Sequence, residues 1–169
     1  MSHLDIAYVG PGLAVPTWTP DDNDFATIYF SPAPGASTVT ASNPAYDRYY
    51  DDGHHHNDLG TSPSVCTGDA FFHGSLKMRL EGMPTYQVQV RPYHISVSTG
   101  ARLWTGPSYH EKLMDVDHDP AVTHWTVAID ERVPDGRRLR LEVAQMHQNN
   151  DFPDGVLKWC NLVAKIDEL

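Results

Sequence analysis

A chain of 169 residues with 40% hydrophobic and 10% aromatic side chains can bury one sizeable core and is too aromatic for intrinsic disorder. Its formal charge of −10, from 22 acidic against 12 basic residues, repels phosphate backbones and anionic headgroups and so argues against nucleic acid and membrane surfaces as partners. Met1-Ser2-His3-Leu4-Asp5 lacks the basic and apolar regions of a secretory signal, and no later run matches a membrane span, so a cytoplasmic protein is expected.

The only cysteines, Cys66 and Cys160, cannot build a disulfide framework and fit a reducing compartment, although one bridge between them stays open. No repeat or low-complexity tract divides the chain, so one β domain over residues 1–169 is expected. The 13 prolines and 12 glycines are spread along most of the length and leave little room for long helices.

Leu4 to Val9 reads as a strand, and the following Gly10-Pro11-Gly12 imitates the glycine turn of a dinucleotide-binding unit. Val15 at the third glycine position, with Pro16 and Pro20 where a helix should start, reduces it to a strand and a polar turn. Asp21-Asp22-Asn23-Asp24 is an acidic loop, and Ala26 to Phe30 and Ser37 to Ala41 are short strand candidates.

From Ser42 to Asp69 no periodicity is visible, and a loop of that length in a compact domain tends to be functional or mobile. Within it, Asp51-Asp52-Gly53-His54-His55-His56-Asn57-Asp58 is the most unusual composition of the chain. In extended backbone His54 and His56 point to one side, where a single metal ion could accept both imidazoles, with Asp51, Asp52, Asp58 or a distant histidine as third ligand. Two histidines and a carboxylate suit iron, manganese or zinc. Over Gly53 to His56 the segment resembles the opening of the first cupin motif, but the glutamate and second motif of that family are absent and no membership follows.

Phe72 to Leu80 is the clearest strand, with Phe72, Leu76, Met78 and Leu80 on one face and His73, Ser75, Lys77 and Arg79 on the other. Tyr86 to Ser98 changes phase: Val88 and Val90 set one parity, Tyr93, Ile95 and Val97 the other, and Pro92 at the switch predicts a bulge or an edge position. Ala101 to Thr105 is a further short strand.

Asp115-Val116-Asp117-His118-Asp119-Pro120 starts like a calcium loop with oxygen ligands every two residues, but Pro120 and Thr126 occupy its required glycine and glutamate positions. Asp115, Asp117 and Asp119 therefore remain candidates for an irregular cation site, and Asn149-Asn150-Asp151 is an acidic loop of the same kind. Trp125, Val127 and Ile129 alternate with polar residues, as do Leu139, Leu141 and Val143, which predicts strands packed on one face and wet on the other. Val133-Pro134-Asp135-Gly136 and Phe152-Pro153-Asp154-Gly155 are tight turns. Val156 to Ile166 is apolar at both parities and predicts a strand buried on both faces or a short helix.

The expected fold is all-β: an antiparallel β-sandwich of jelly-roll-like form or a small β-barrel, of about eight to ten strands with one long polar loop. No Gly-x-Ser-x-Gly elbow, phosphate-binding loop or His-Glu-x-x-His segment is present. The leading functional reading is a non-catalytic binding protein for a small or glycan-like ligand, held at Tyr49, Tyr50, Asp52, Asn57, Trp104 and Tyr109. A divalent ion, calcium or a transition metal, would assist at His54, His56, Asp58, Asp115, Asp117 or Asp119. The alternatives are a metal-dependent β-barrel enzyme built on His54 and His56, and a self-assembling structural protein forming homo-oligomers through strand edges and aromatic patches.

Overall fold

The computed structural model describes residues 2–18, 24–28, 31–32, 69–82, 87–96, 98–112, 123–146 and 155–168. Among them are β1 (Ser2–Val15), β2 (Thr17–Trp18), β3 (Ala26–Thr27), β4 (Ser31–Pro32), β5 (Ala70–Glu81), β6 (Gln87–Ser96), β7 (Arg102–Thr105), β8 (Tyr109–Lys112), β9 (Thr123–Val133), β10 (Arg137–Met146) and β11 (Gly155–Glu168). They form two sheets. The first has the order β4-β1-β11-β5-β9, and the second the order β2-β10-β6-β7, with β3 also beside β10 and β8 beside β6. Pairing is antiparallel except where Thr17 and Trp18 run parallel to Gln145 and Met146.

The chain passes from β9 in the first sheet to β10 in the second and back to β11 in the first, a jelly-roll-like crossing that closes a β-sandwich. The Pro134-Asp135-Gly136 turn makes the first crossing, with Gly136 at a φ of 77° that side chains disfavour. Strands β5 and β9 keep the alternation of their sequence: Phe72, Leu76, Met78, Leu80, Val127 and Ile129 are buried, while His73, Lys77, His124, Thr126 and Asp130 are exposed. Val88, Val90, Leu139, Leu141 and Val143 of the second sheet join them in one apolar cluster. Each such side chain, fully buried, contributes roughly 1.5–3 kcal/mol.

Three local readings of the sequence resolve differently. The Gly10-Pro11-Gly12 turn does not end the first strand; β1 continues to Val15, and its register against β11 shifts between Val9 and Leu13. The residues at Val156 to Ile166 form a strand, β11, whose two parities come from a bulge. Its register against β5 jumps between Leu157 and Trp159, so Leu157 is buried before the jump and Cys160, Leu162 and Ala164 after it, while Val163 faces outward.

At Pro92 the β6–β10 register is unbroken from Gln87–Met146 to Ser96–Arg137. The Pro92 carbonyl accepts from the Gly106 amide at 2.8 Å, on the edge turned away from β10. Both backbone polar groups of a strand residue point to the same edge, so the missing N–H falls on that side and costs the ladder nothing. The apolar phase changes because β6 is covered on both faces beyond this point, with Tyr93, His94 and Ile95 all buried. The same holds for β10, where Arg138 and Glu142 are buried on the face expected to be wet.

Candidate functional site

Two outward faces flank the core. On the first sheet, pairing sets Val163, Ser75 and Ala128 in one row across β11, β5 and β9. The next rows are Asn161, Lys77 and Thr126 on one side and Lys165, His73 and Asp130 on the other. Short side chains between longer polar ones make a shallow trough across the strands, and Val163 stands in it 46% exposed. Beside it a hollow of about 390 Å3 is lined by His73, Gly74, Val163, Ala164 and Lys165. Gly74 is what lets β5 and β11 approach here, since a Cβ would sit 2.2 Å from the Val163 carbonyl oxygen. His73 is held at the rim by Phe71, stacked at 4.3 Å between centroids, and by Asp130, whose carboxylate lies 2.6 Å from Nδ1.

The outward face of the second sheet is a layer of cations around one buried carboxylate. Glu142 receives Arg102 through Nη1 at 3.1 Å and Nη2 at 2.8 Å, and Arg91 through Nε at 2.5 Å. Arg102 lies over the Tyr93 ring at 3.8 Å and Arg91 over the Phe25 ring at 3.7 Å, so the guanidinium planes stack as well as pair. The bonds it donates to Glu142 hold the Arg102 pKa above its ordinary value against the opposing effect of burial. The hydroxyls of Tyr93 and Thr27 meet at 2.7 Å and close the layer toward β3.

At the edge of this sheet Trp104 is 36% exposed. Its ring lies over Gly106, where an added Cβ would meet it at 2.4 Å, and 4.4 Å from the His94 ring, tilted by 35°. His94 is 3% exposed, neither ring nitrogen has a hydrogen-bond partner, and burial first, then the charge of Arg137, lowers its pKa to about 4. Tyr109 packs partly buried against the core and donates its hydroxyl to Glu131. Burial first, then that bond, pushes the Tyr109 pKa up.

Of the residues singled out by sequence, Trp104 and Tyr109 are therefore placed at separate points of the second sheet. Tyr49, Tyr50, Asp52, Asn57, His54, His56, Asp58, Asp115, Asp117 and Asp119 lie outside the described residues, as do the Ser37 to Ala41 strand candidate and Cys66. Among the described residues there is no group of three or more His, Cys, Asp or Glu that could hold a metal ion. No helix among them is long and apolar enough to cross a membrane.

No protein-family model matches the chain, and no curated protein matches it. Among solved structures it is similar to Eiger TNF from S. frugiperda, with 15% identity and a TM-score of 0.48 over 100% of this chain and 96% of that one. A likeness at that level carries no function with it.

The trough around Val163 escaped sequence reasoning because the bulge in β11 hides which parity faces out. The Arg91–Glu142–Arg102 cluster escaped it because Arg138, Arg140 and Glu142 alternate with leucines just as a solvated face does. The one available signal was the change of apolar parity along β6, from Val88 and Val90 to Tyr93 and Ile95, which marks a strand covered on both sides.

Proposed function

We propose that the protein is a non-catalytic β-sandwich binding module that docks through the outward face of its first sheet, and that the partner is a further copy of the same chain. The observation carrying this reading is Val163, an aliphatic side chain left 46% exposed in the interior of a sheet, beside a hollow and between rows bearing both signs of charge. An apolar centre with a polar rim is the anatomy of a protein interface. Lys77 and Lys165 alongside Asp130 on one face supply the mixed charge that a self-complementary contact about a two-fold axis uses, since each group then meets its opposite on the other copy.

Sedimentation velocity across a concentration series tests it. A mass that rises with concentration, and falls back to that of one chain in a Val163→Arg variant with an unchanged circular dichroism spectrum, supports the reading. A single-chain mass throughout overturns it.

A second reading, a small or glycan-like ligand, is favoured by Trp104, whose partly exposed ring is backed by Gly106 and His94 and so is held ready for stacking. Quenching of tryptophan fluorescence by a sugar panel, abolished in Trp104→Ala, would support it; no response from any sugar would remove it.

A further inference from the structure

The two flanks of the first sheet's outward face match each other across its middle strand. Strand β5 runs between β11 on one side and β9 on the other. In successive rows the pairing sets Asp167 and Arg132 either side of Phe71, Lys165 and Asp130 either side of His73, and Val163 and Ala128 either side of Ser75. Each β11 residue thus has, across β5, a β9 residue of opposite character: acid with base, base with acid, a branched side chain with a single methyl group. Among the described residues Lys165 and Asp167 belong to no ion pair. Asp130 holds His73, and Arg132 holds Asp69, through solvated surface contacts that leave those groups exposed.

Sheets stacked face to face keep their strands within about 30° of each other. A two-fold axis lying between two copies of this face can meet that condition in two ways. An axis across the strands at Ser75 sets Val163 on Val163 and Ala128 on Ala128, with Lys165 against Asn161 and Asp130 against Thr126, so no opposite charges meet in these rows. An axis along β5 exchanges the flanks within each row. Val163 then stands over Ala128 of the second copy, Lys165 over its Asp130 and Asp167 over its Arg132, and symmetry makes every such contact twice. Lys77 lies on this axis and meets its own copy, its long stem carrying the ammonium out to solvent, so the charge matching is confined to the flanking strands.

We propose that two copies pack first sheet to first sheet about an axis along β5, with Val163 seated over Ala128 and Lys165 paired with Asp130 of the second copy. The arrangement rests on the docking through this face proposed above and adds its orientation and its contacts.

The test uses Lys165→Asp and Asp130→Lys as separate full-length chains, each alone and mixed, in sedimentation velocity at low ionic strength. In either variant alone the axis along β5 brings like charges together twice, and self-association should weaken by about tenfold or more. In the equimolar mixture every one of these contacts is again acid on base, so assembly of one variant with the other should recover toward that of the unmodified chain, which also shows that both variants are folded. An unmodified chain that stays single at every concentration overturns the docking itself and this arrangement with it. An unmodified chain that associates, while either variant associates undiminished or the mixture does no better than its components, overturns the arrangement alone and leaves the docking standing.

Discussion

The Tyr109 hydroxyl donates to the Glu131 carboxylate, and this one bond joins β8 of the second sheet to β9 of the first. Burial raises the pKa of Glu131, and the Tyr109 bond works against that rise. Tyr109→Phe removes the donor and leaves a half-buried carboxylate unsatisfied, which should cost about 1–3 kcal/mol in urea unfolding. Glu131→Gln keeps an acceptor for the phenol and should cost less. Equal stability of Tyr109→Phe and the unmodified chain would show that the bond does not hold the sheets together.

His94 should make the fold acid-sensitive in a defined window. Its folded pKa of about 4 lies below the ordinary value of 6.5, because burial disfavours the imidazolium. The unfolded chain therefore takes up a proton that the folded one refuses, so the stabilisation is full above pH 6.5 and is lost as pH falls from 6.5 toward 4. Between pH 7 and pH 5 the unfolding free energy should drop by roughly 2 kcal/mol from this residue. His94→Leu should flatten that part of the profile; an unchanged slope in the variant would assign the acid sensitivity elsewhere.

Gly74→Ala should be strongly destabilising although it adds one methyl group. The new Cβ would lie 2.2 Å from the Val163 carbonyl oxygen and 2.6 Å from the Ala164 Cβ. Those are backbone and Cβ atoms of the central strand and cannot swing aside. A loss of about 2 kcal/mol or more is expected, read as a lowered thermal midpoint. A midpoint within experimental error of the unmodified chain would mean that β5 and β11 can separate at this point.

Two ion-paired carboxylates should behave in opposite ways. Glu142 is buried and serves two arginines, so Glu142→Ala leaves Arg91 and Arg102 without their anion and should cost about 2–4 kcal/mol by chemical denaturation. Arg132 and Asp69 also pair, and that bond with the Asp135 amide holds the Asp69 carboxyl below its usual range. Their solvated setting screens the interaction, and Asp69→Asn should leave the unfolding curve unmoved. The reverse ranking would contradict the account of the second sheet.

Strands were legible in the sequence where one face is wet, because alternation then reports burial directly: Phe72, Leu76, Met78 and Leu80 against His73 and Lys77 is the plain case. Where the pattern broke, the break had two different causes that look alike on paper. At Lys158 an extra residue shifts the register, while at Pro92 the register holds and the covering of the outer face changes. Only pairing distinguishes them, and pairing is a property of strands far apart in sequence. Trp104 and Tyr109 were found as aromatic residues near polar clusters, but their separation was not readable, since it depends on β7 and β8 meeting different stretches of β6. The cationic layer was invisible for a related reason: Arg91, Arg102 and Glu142 belong to three strands and only the sheet brings them together.

The position of β11 between β1 and β5 has a kinetic corollary. Ser2 sits opposite Ile166 and Phe72 opposite the same Ile166, so three remote segments must be brought into line before the middle of that sheet exists. Closing loops of such length is slow, and topologies of this kind fold in milliseconds to seconds rather than microseconds. While a nascent chain is leaving the ribosome, β1 and β5 wait with bare hydrogen-bonding edges until β11 emerges. Chaperone demand and aggregation during expression should accordingly peak before β11 is available to pair, and agents that slow elongation near residues 155–168 should lower the soluble yield.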